Sequence, residues 1–368
     1  MKVRLVTSLR EFDALAPLWR EVTSAGGQAS PFLSHDWFAC CWRTAGPNRS
    51  REVWVIEDTA GPVAFVPFLR WKSRDRGIPV RVLSLLDSPD TPFSDIPLAG
   101  RLDEVTRTLF DALRRRSDWD VLLLPKLRAE SRTFEALRAA LSGRFAAREA
   151  SREESPYVQV SGTWDEFIHQ KTQRFRKGCR NMENRLNKSG KVTIDEYREI
   201  DPDGPLFAEV LELSRQSWKG ARGLAMATME GMPRFFRELT RRASANGWLH
   251  LWLLRLDGRA IASEYQITSN GNVHALRADF DPSVAVLSPG AGLNLWIVRT
   301  LFERHEVREY DMGPGRNPYK LRWASSAREL VTLQVYAPTA CGRLLHRVET
   351  RLVPLLRQVR DRVKRLCA

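Results

Sequence analysis

The chain has 368 residues, 43% hydrophobic and 28% charged, and its 58 Lys and Arg against 44 Asp and Glu leave a formal net charge of +14. That length suggests two domains with ample core, and the charge points to an anionic partner. No run approaches the roughly 18 consecutive apolar residues of a membrane span, and the opening MKVRLVTSLREF lacks the apolar centre and cleavage site of a secretory signal, so a cytoplasmic protein is expected.

In chain order, VRLVTS reads as a strand, LREFDALAPLWREV as a helix, and PFLSHDWFACCWRTAG as a second helix with Ser34 at its N-cap. REVWVIEDTAGPVAFVPFLRW reads as two strands joined at Thr59-Ala60-Gly61. The turn-rich LLDSPDTPFSDIPLAG precedes a helix over 102–115, the strand DVLLLP and a helix over 130–142. A second series opens with the strand SPYVQVS and one long helix, WDEFIHQKTQRFRKGCRNMENRLNKSG, whose apolar residues recur at helical spacing. The strand KVTIDEY, helices over 205–218 and 232–246, and a hairpin turning at Asp257-Gly258 follow. NVHALRADF is a strand, PGAGLNLWIVRTLFERH a helix, and REYDM and ELVTLQVYA the last strands. Helix, meandering strands and strand–turn–helix–strand, twice over, predict two α/β domains with mixed sheets, 1–150 and 151–340. The remaining 341–368 reads as a basic amphipathic helix interrupted at Pro354.

Two segments hold nearly all of the excess charge. Lys171 to Lys191 has eight basic residues and one acidic; Cys341 to Ala368 has eight and two. Five scattered cysteines without a C-x-x-C, and six histidines without ligand spacing, suit neither a zinc site nor a disulfide framework, so reduced thiols and no metal are expected.

Ligands of open α/β sheets gather at the carboxyl ends of strands. On NVHALRADF, alternation brings Arg277 and Asp279 out on one face near the strand's end, and on RAIASEYQI Glu264 lies beside Gln266. Asp311 closes REYDM and leads into GPGRNPYKLRW, where Gly313 and Gly315 bracket a turn ahead of Tyr319 and Lys320. In VLSPGAGLNLW, Gly290 and Gly292 open a helix with Ser288 as N-cap and Pro289 in its first turn. Such a start is either an anion site with free N–H groups or a plain tight turn. Each carboxylate is either catalytic or structural, and Lys320 is either a cleft residue or an exposed surface lysine.

The combination S-P-G-x-G, helix, strand, then D-x-x-x-G-x-x-x-Y-K-x-x-W, preceded by a basic helix and a hairpin, resembles the GNAT acyltransferase fold. More closely it is similar to the family named for cellulose biosynthesis, relatives of the Fem peptidoglycan-bridge transferases with tandem GNAT-like halves. PFLSHDWFACCW and SPDTPFSDIPL resemble that family's first half, so the likeness runs to about residue 340. It implies direct acyl transfer from acetyl-CoA or another acyl-CoA to an amine or hydroxyl of a sugar-containing or cell-envelope precursor. Glu264, Asp279 or Asp311 would be the base, with Tyr319 and Lys320 assisting the leaving thiolate or a polarised carbonyl. Arg277, Ser288, Gly290 and Gly292 would hold the donor, without a metal. The alternatives are a Fem-like transferase using aminoacyl-tRNA, which the basic helix would suit, and a catalytically silent subunit of a polysaccharide-assembly complex. The basic C-terminal helix either packs back on the body or attaches to an anionic membrane, placing the protein at its inner face.

Overall fold

A computed structural model describes residues 1–355. The first half runs β1 (Lys2–Val6), α1 (Leu9–Ala14), α2 (Ala16–Ala25), α3 (His35–Thr44), β2 (Ser50–Glu57), β3 (Pro62–Asp75), β4 (Ile78–Leu85), α4 (Leu102–Arg115), β5 (Val121–Arg128) and α5 (Arg132–Leu141). The second runs β6 (Ala146–Gln159), α6 (Trp164–His169), α7 (Gln173–Lys188), β7 (Val192–Tyr197), α8 (Pro205–Gln216), α9 (Met232–Ala245), β8 (Leu249–Leu256), β9 (Arg259–Ser269), β10 (Asn272–Phe280), α10 (Pro289–Arg304), β11 (Glu309–Asp311), α11 (Pro318–Trp323), β12 (Ser326–Tyr336) and α12 (Ala340–Arg347).

Local chemistry accounts for several boundaries. Ser34 Oγ accepts from Trp37 N and starts α3. The expected helix over 9–22 divides, because Pro17 offers no N–H to a continuous ladder and instead sits in the first turn of α2. The single long basic helix also divides: Thr172 takes an extended conformation and caps Phe175 N, so α7 starts anew after α6. The hairpin at Asp257-Gly258 forms with φ 50° and 84°, the left-handed pair that a two-residue turn requires. β4 was not legible as a separate strand; it arises as the return of a hairpin through Arg76-Gly77.

The twelve strands among the described residues form one mixed sheet in the order β1-β2-β3-β4-β5-β12-β6-β11-β10-β9-β8-β7. Among the described strands, only β4–β5 and β10–β11 form parallel ladders. The order is the same pattern written twice from opposite ends, 1-2-3-4-5-12 and 7-8-9-10-11-6. The sheet has no seam at residue 150, since β6 runs through that position and β12, from the end of the chain, lies between β5 and β6. The two halves thus share one sheet, joined where β12 of the second half pairs with β5 of the first. One apolar core joins α3 of the first half to α8 and α9 of the second. Two others lie under α4 and α5 and under α7 and α10.

Of the C-terminal segment, α12 and a wider helical turn at Val348–Leu352 are described. Glu349 is buried there, bonded to Arg148 Nη2 at 2.8 Å and Gln334 Nε2 at 2.9 Å, so the start of this segment packs back on the sheet. The rest of the expected helix, with Leu356, Val359 and Val363, lies outside the described residues.

Candidate active site

β10 and β11 pair only over Asn272–His274 and Glu309–Asp311. Beyond His274 the strands part, because β11 stops at Asp311 and the chain swings off through Gly313 (φ 78°) and Gly315 (φ 103°). A Cβ on Gly313 would also meet the Ala275 carbonyl at 3.0 Å, so glycine serves both the turn and the close approach. On the far side, β10 stays paired with β9 apart from a bulge that leaves Leu276 without an opposite residue. The opening between β10 and β11 is a cleft of about 920 Å³. Its walls include Gly290 and Ala291 of α10, Tyr319 and Lys320 of α11, and, from the first half, Pro89–Pro92 and Lys126. The glycine-rich helix start and the lysine therefore border one crevice between the halves.

A buried polar network forms its floor. Glu264 Oε1 accepts from Gln266 Nε2 at 2.8 Å and from Tyr310 Oη at 2.5 Å, and Tyr310 Oη accepts from Asn294 Nδ2 at 2.9 Å. Burial raises the Glu264 carboxyl above its ordinary range, although Tyr310, Gln266 and the nearby Lys320 pull the other way. Burial also pushes the Tyr310 phenol well up, and Glu264 adds to that. Asn294 Oδ1 has no partner in this buried position, and Asn294 lines the cleft. Lys320 Nζ donates to the carbonyls of Gly313 at 2.8 Å and Pro314 at 2.9 Å, leaving a third donor. Burial brings its pKa down to about 8, against the pull of Asp311 and Glu264.

Other expected residues sit in different roles. Asp311 is buried with Oδ1 accepting from Ser155 Oγ at 2.7 Å and Gly313 N at 2.8 Å, and His274 Nδ1 stands 3.6 Å away. Burial opposes its charge, but His274 and these donors outweigh it and hold its pKa at about 2. An acid that strong is a poor proton acceptor at neutral pH; Asp311 is the anchor of the turn instead. Asp279 is held by Lys219 Nζ at 3.0 Å and Ser214 Oγ at 2.8 Å. Arg277 is committed to Asp90 at 2.7 Å and to the Leu224 carbonyl at 2.7 Å, so it clamps a first-half loop to β10 and has little left for a donor's phosphate. Ser288 occupies the N-cap position in the left-handed conformation, yet its side chain makes no capping bond. Gly292 faces away from the cleft, where a Cβ would strike Leu186 Cδ1 at 2.6 Å. Tyr319 stands at the rim, two-fifths exposed.

Asn294, Tyr310, Lys126 and Lys219 line the cleft without having been singled out in the sequence. Asn294 was traceable as a lone amide in an apolar helix one turn after Gly290; the lysines carried no local signal. Among the described residues no cluster of histidine, cysteine and carboxylate groups is arranged for a metal ion.

The architecture is that of the tandem GNAT-like α/β fold. Residues 173–321, from α7 to α11, match the family model described as an acetyltransferase (GNAT) domain. No curated protein sequence matches the chain significantly. Among solved structures, the chain is similar to FemX, with 10% identity, 94% of this chain and 100% of that one covered, and a TM-score of 0.57. It is also similar to a tandem GNAT protein from the clavulanic acid biosynthesis pathway (13% identity, 92% and 100% covered, TM-score 0.52). A third is the C-terminal domain of a putative lysylphosphatidylglycerol synthetase from Agrobacterium fabrum (13%, 92% and 95%, 0.53). At these identities the likeness is one of fold.

Proposed function

We propose that the protein is an acyltransferase that moves an acyl group from an acyl-CoA directly to an amine or hydroxyl of a sugar-containing or cell-envelope precursor. The observation that carries this reading is the convergence, on one cleft, of a free helix start, a parted strand edge and a buried carboxylate with raised pKa. The N–H groups of Gly290 and Ala291, with the α10 dipole behind them, suit a pyrophosphate. The edge of β10 that faces away from β9 suits an extended amide-bearing arm, although Lys219 Nζ already donates to the Ala278 carbonyl at 2.5 Å. Leu276, unpaired at the bulge and lining the cleft, is the backbone N–H assigned to a developing oxyanion.

Glu264 is the base in this scheme. It takes the acceptor's proton as the new N–C or O–C bond forms and the C–S bond breaks. Tyr319 or Lys320 returns a proton to the leaving thiolate. Titration calorimetry with acetyl-CoA and longer acyl-CoAs tests the donor, and the absence of heat at millimolar ligand would remove it. Glu264→Gln is expected to cut turnover by about 10²-fold with donor affinity kept. Unchanged turnover would sink the assigned base.

The cations of α7 favour a second donor, aminoacyl-tRNA, whose signature would be a salt-sensitive shift with bulk tRNA. A catalytically silent subunit would show neither donor binding nor turnover.

A further inference from the structure

α7 is acidic at one position only, Glu183, and that carboxylate is taken by Arg299 at 2.9 Å. Its exposed cations, Arg174, Lys177, Arg180, Arg185 and Lys188, have no carboxylate within ion-pair distance among the described residues. Elsewhere in this protein arginines are paired repeatedly, as Arg255 is with Asp195 and Glu209. The helix also packs behind elements of the cleft wall. Leu186, near its C-terminal end, fits against Gly292 in the first turn of α10. Phe175, near its N-terminal end, packs edge-on against Trp323 of α11 at 4.8 Å. α7 therefore bridges two of the elements that wall the cleft.

The same rim carries apolar side chains in water. Val286, in the turn before α10, is 76% exposed; Trp218 and Leu224 are each 47% exposed, and Tyr319 and Leu321 of α11 about two-fifths. Trp218 and Tyr319 line the cleft, Val286 follows Ala285 of its wall, and Leu224 is tied by its carbonyl to Arg277. Arg222 stacks on Trp218 at 5.1 Å. The remaining exposed large apolar residues lie in the first half, on α10 and in the C-terminal segment.

We propose that this face, the outer side of α7 together with the cleft rim, docks on an anionic lipid surface and presents the cleft to an amphiphile resident there. Cations alone would suit any polyanion. Exposed Val286 and Leu321, on two elements against which α7 packs, gain nothing from a nucleic acid backbone, whereas a bilayer interface receives both. The identification of the amphiphile as a transfer substrate rests on the acyltransferase reading; the docking itself does not.

Co-sedimentation of the full chain with vesicles tests it, using phosphatidylcholine alone or with about a third phosphatidylglycerol. Binding is expected only to the anionic vesicles. Lys177→Glu/Arg180→Glu/Arg185→Glu and, separately, Leu224→Ser/Val286→Ser/Leu321→Ser should each weaken it about ten-fold or more. The exposed positions make both variants safe for folding, which circular dichroism checks. Undiminished binding by both variants would assign attachment to the C-terminal segment and overturn the proposal, as would no binding at all. Bulk tRNA bound in place of vesicles, lost on charge reversal but untouched by the serine variant, would make the face a nucleic acid surface and overturn it too. None of these outcomes depends on turnover, so failure here is distinct from failure to bind acyl-CoA.

Discussion

Lys320 and Asp311 share one turn and titrate in opposite senses. In an unfolded chain a lysine holds its proton to about 10.5; here burial makes Lys320 release it near 8. Between those values the unfolded state binds more protons, so this residue makes the fold gain stability as pH rises through the window, and its burial costs most below pH 8. Lys320→Met is expected to remove that dependence in denaturant titrations between pH 7 and 10. It should also abolish a limb near pH 8 in the turnover profile. Asp311 works the other way: its pKa falls from 3.8 to about 2, so its contribution is present above pH 4 and is lost as pH drops through 2. Asp311→Asn should cost about 2–3 kcal/mol at neutral pH, measured by urea unfolding, because Ser155, Gly313 and His274 lose a charged partner. The pairing of Glu264 with Gln266, and the service of Asp311 to its own turn, were legible from alternation and from the D-M-G spacing. The engagement of Arg277 by Asp90, 187 positions away, was not, since no local pattern encodes so distant a partner.

At the scale of elements, α10 has two glycines with different work. Gly290 lies at the cleft, and its Cβ would meet Phe280 at 3.3 Å, a contact that a small shift accommodates. Gly292 lies under α7, where a side chain must displace Leu186. Gly292→Val is therefore expected to destabilise by about 1–3 kcal/mol through overpacking, measured by thermal unfolding. Tolerance of valine without loss would contradict the close fit of Leu186 on Gly292. The paired spacing of 290 and 292 resembled one motif in the sequence, but helical geometry sends the two residues toward different neighbours. The same geometry explains the two divided helices, whose breaks at Pro17 and Thr172 depend on one residue each.

For the whole molecule, the insertion of β12 between β5 and β6 has a consequence for autonomy. Residues 1–145 without β12 would expose an edge of β5, and the remainder without the first half would leave β12 paired on one side only. Expressed alone, each piece is expected to be insoluble or to lack a cooperative unfolding transition; together they should restore one. A fully cooperative, monomeric 1–145 would contradict this. The cleft depends on the same joining of the halves, since Lys126 and Pro89–Pro92 reach it only because the halves share one sheet.

Periodicity, turn residues and capping groups are local, so the sequence by itself determined most helices and strands, the α/β class and the strand ends where polar groups collect. Side-chain alternation likewise exposed Glu264 beside Gln266. Strand order, the merging of two sheets into one, the partners of Arg277 and Asp279, and the direction each glycine faces are set by contacts between residues far apart in the chain. Those contacts are made only when apolar surfaces from both halves are buried together, and the tertiary structure alone decided them.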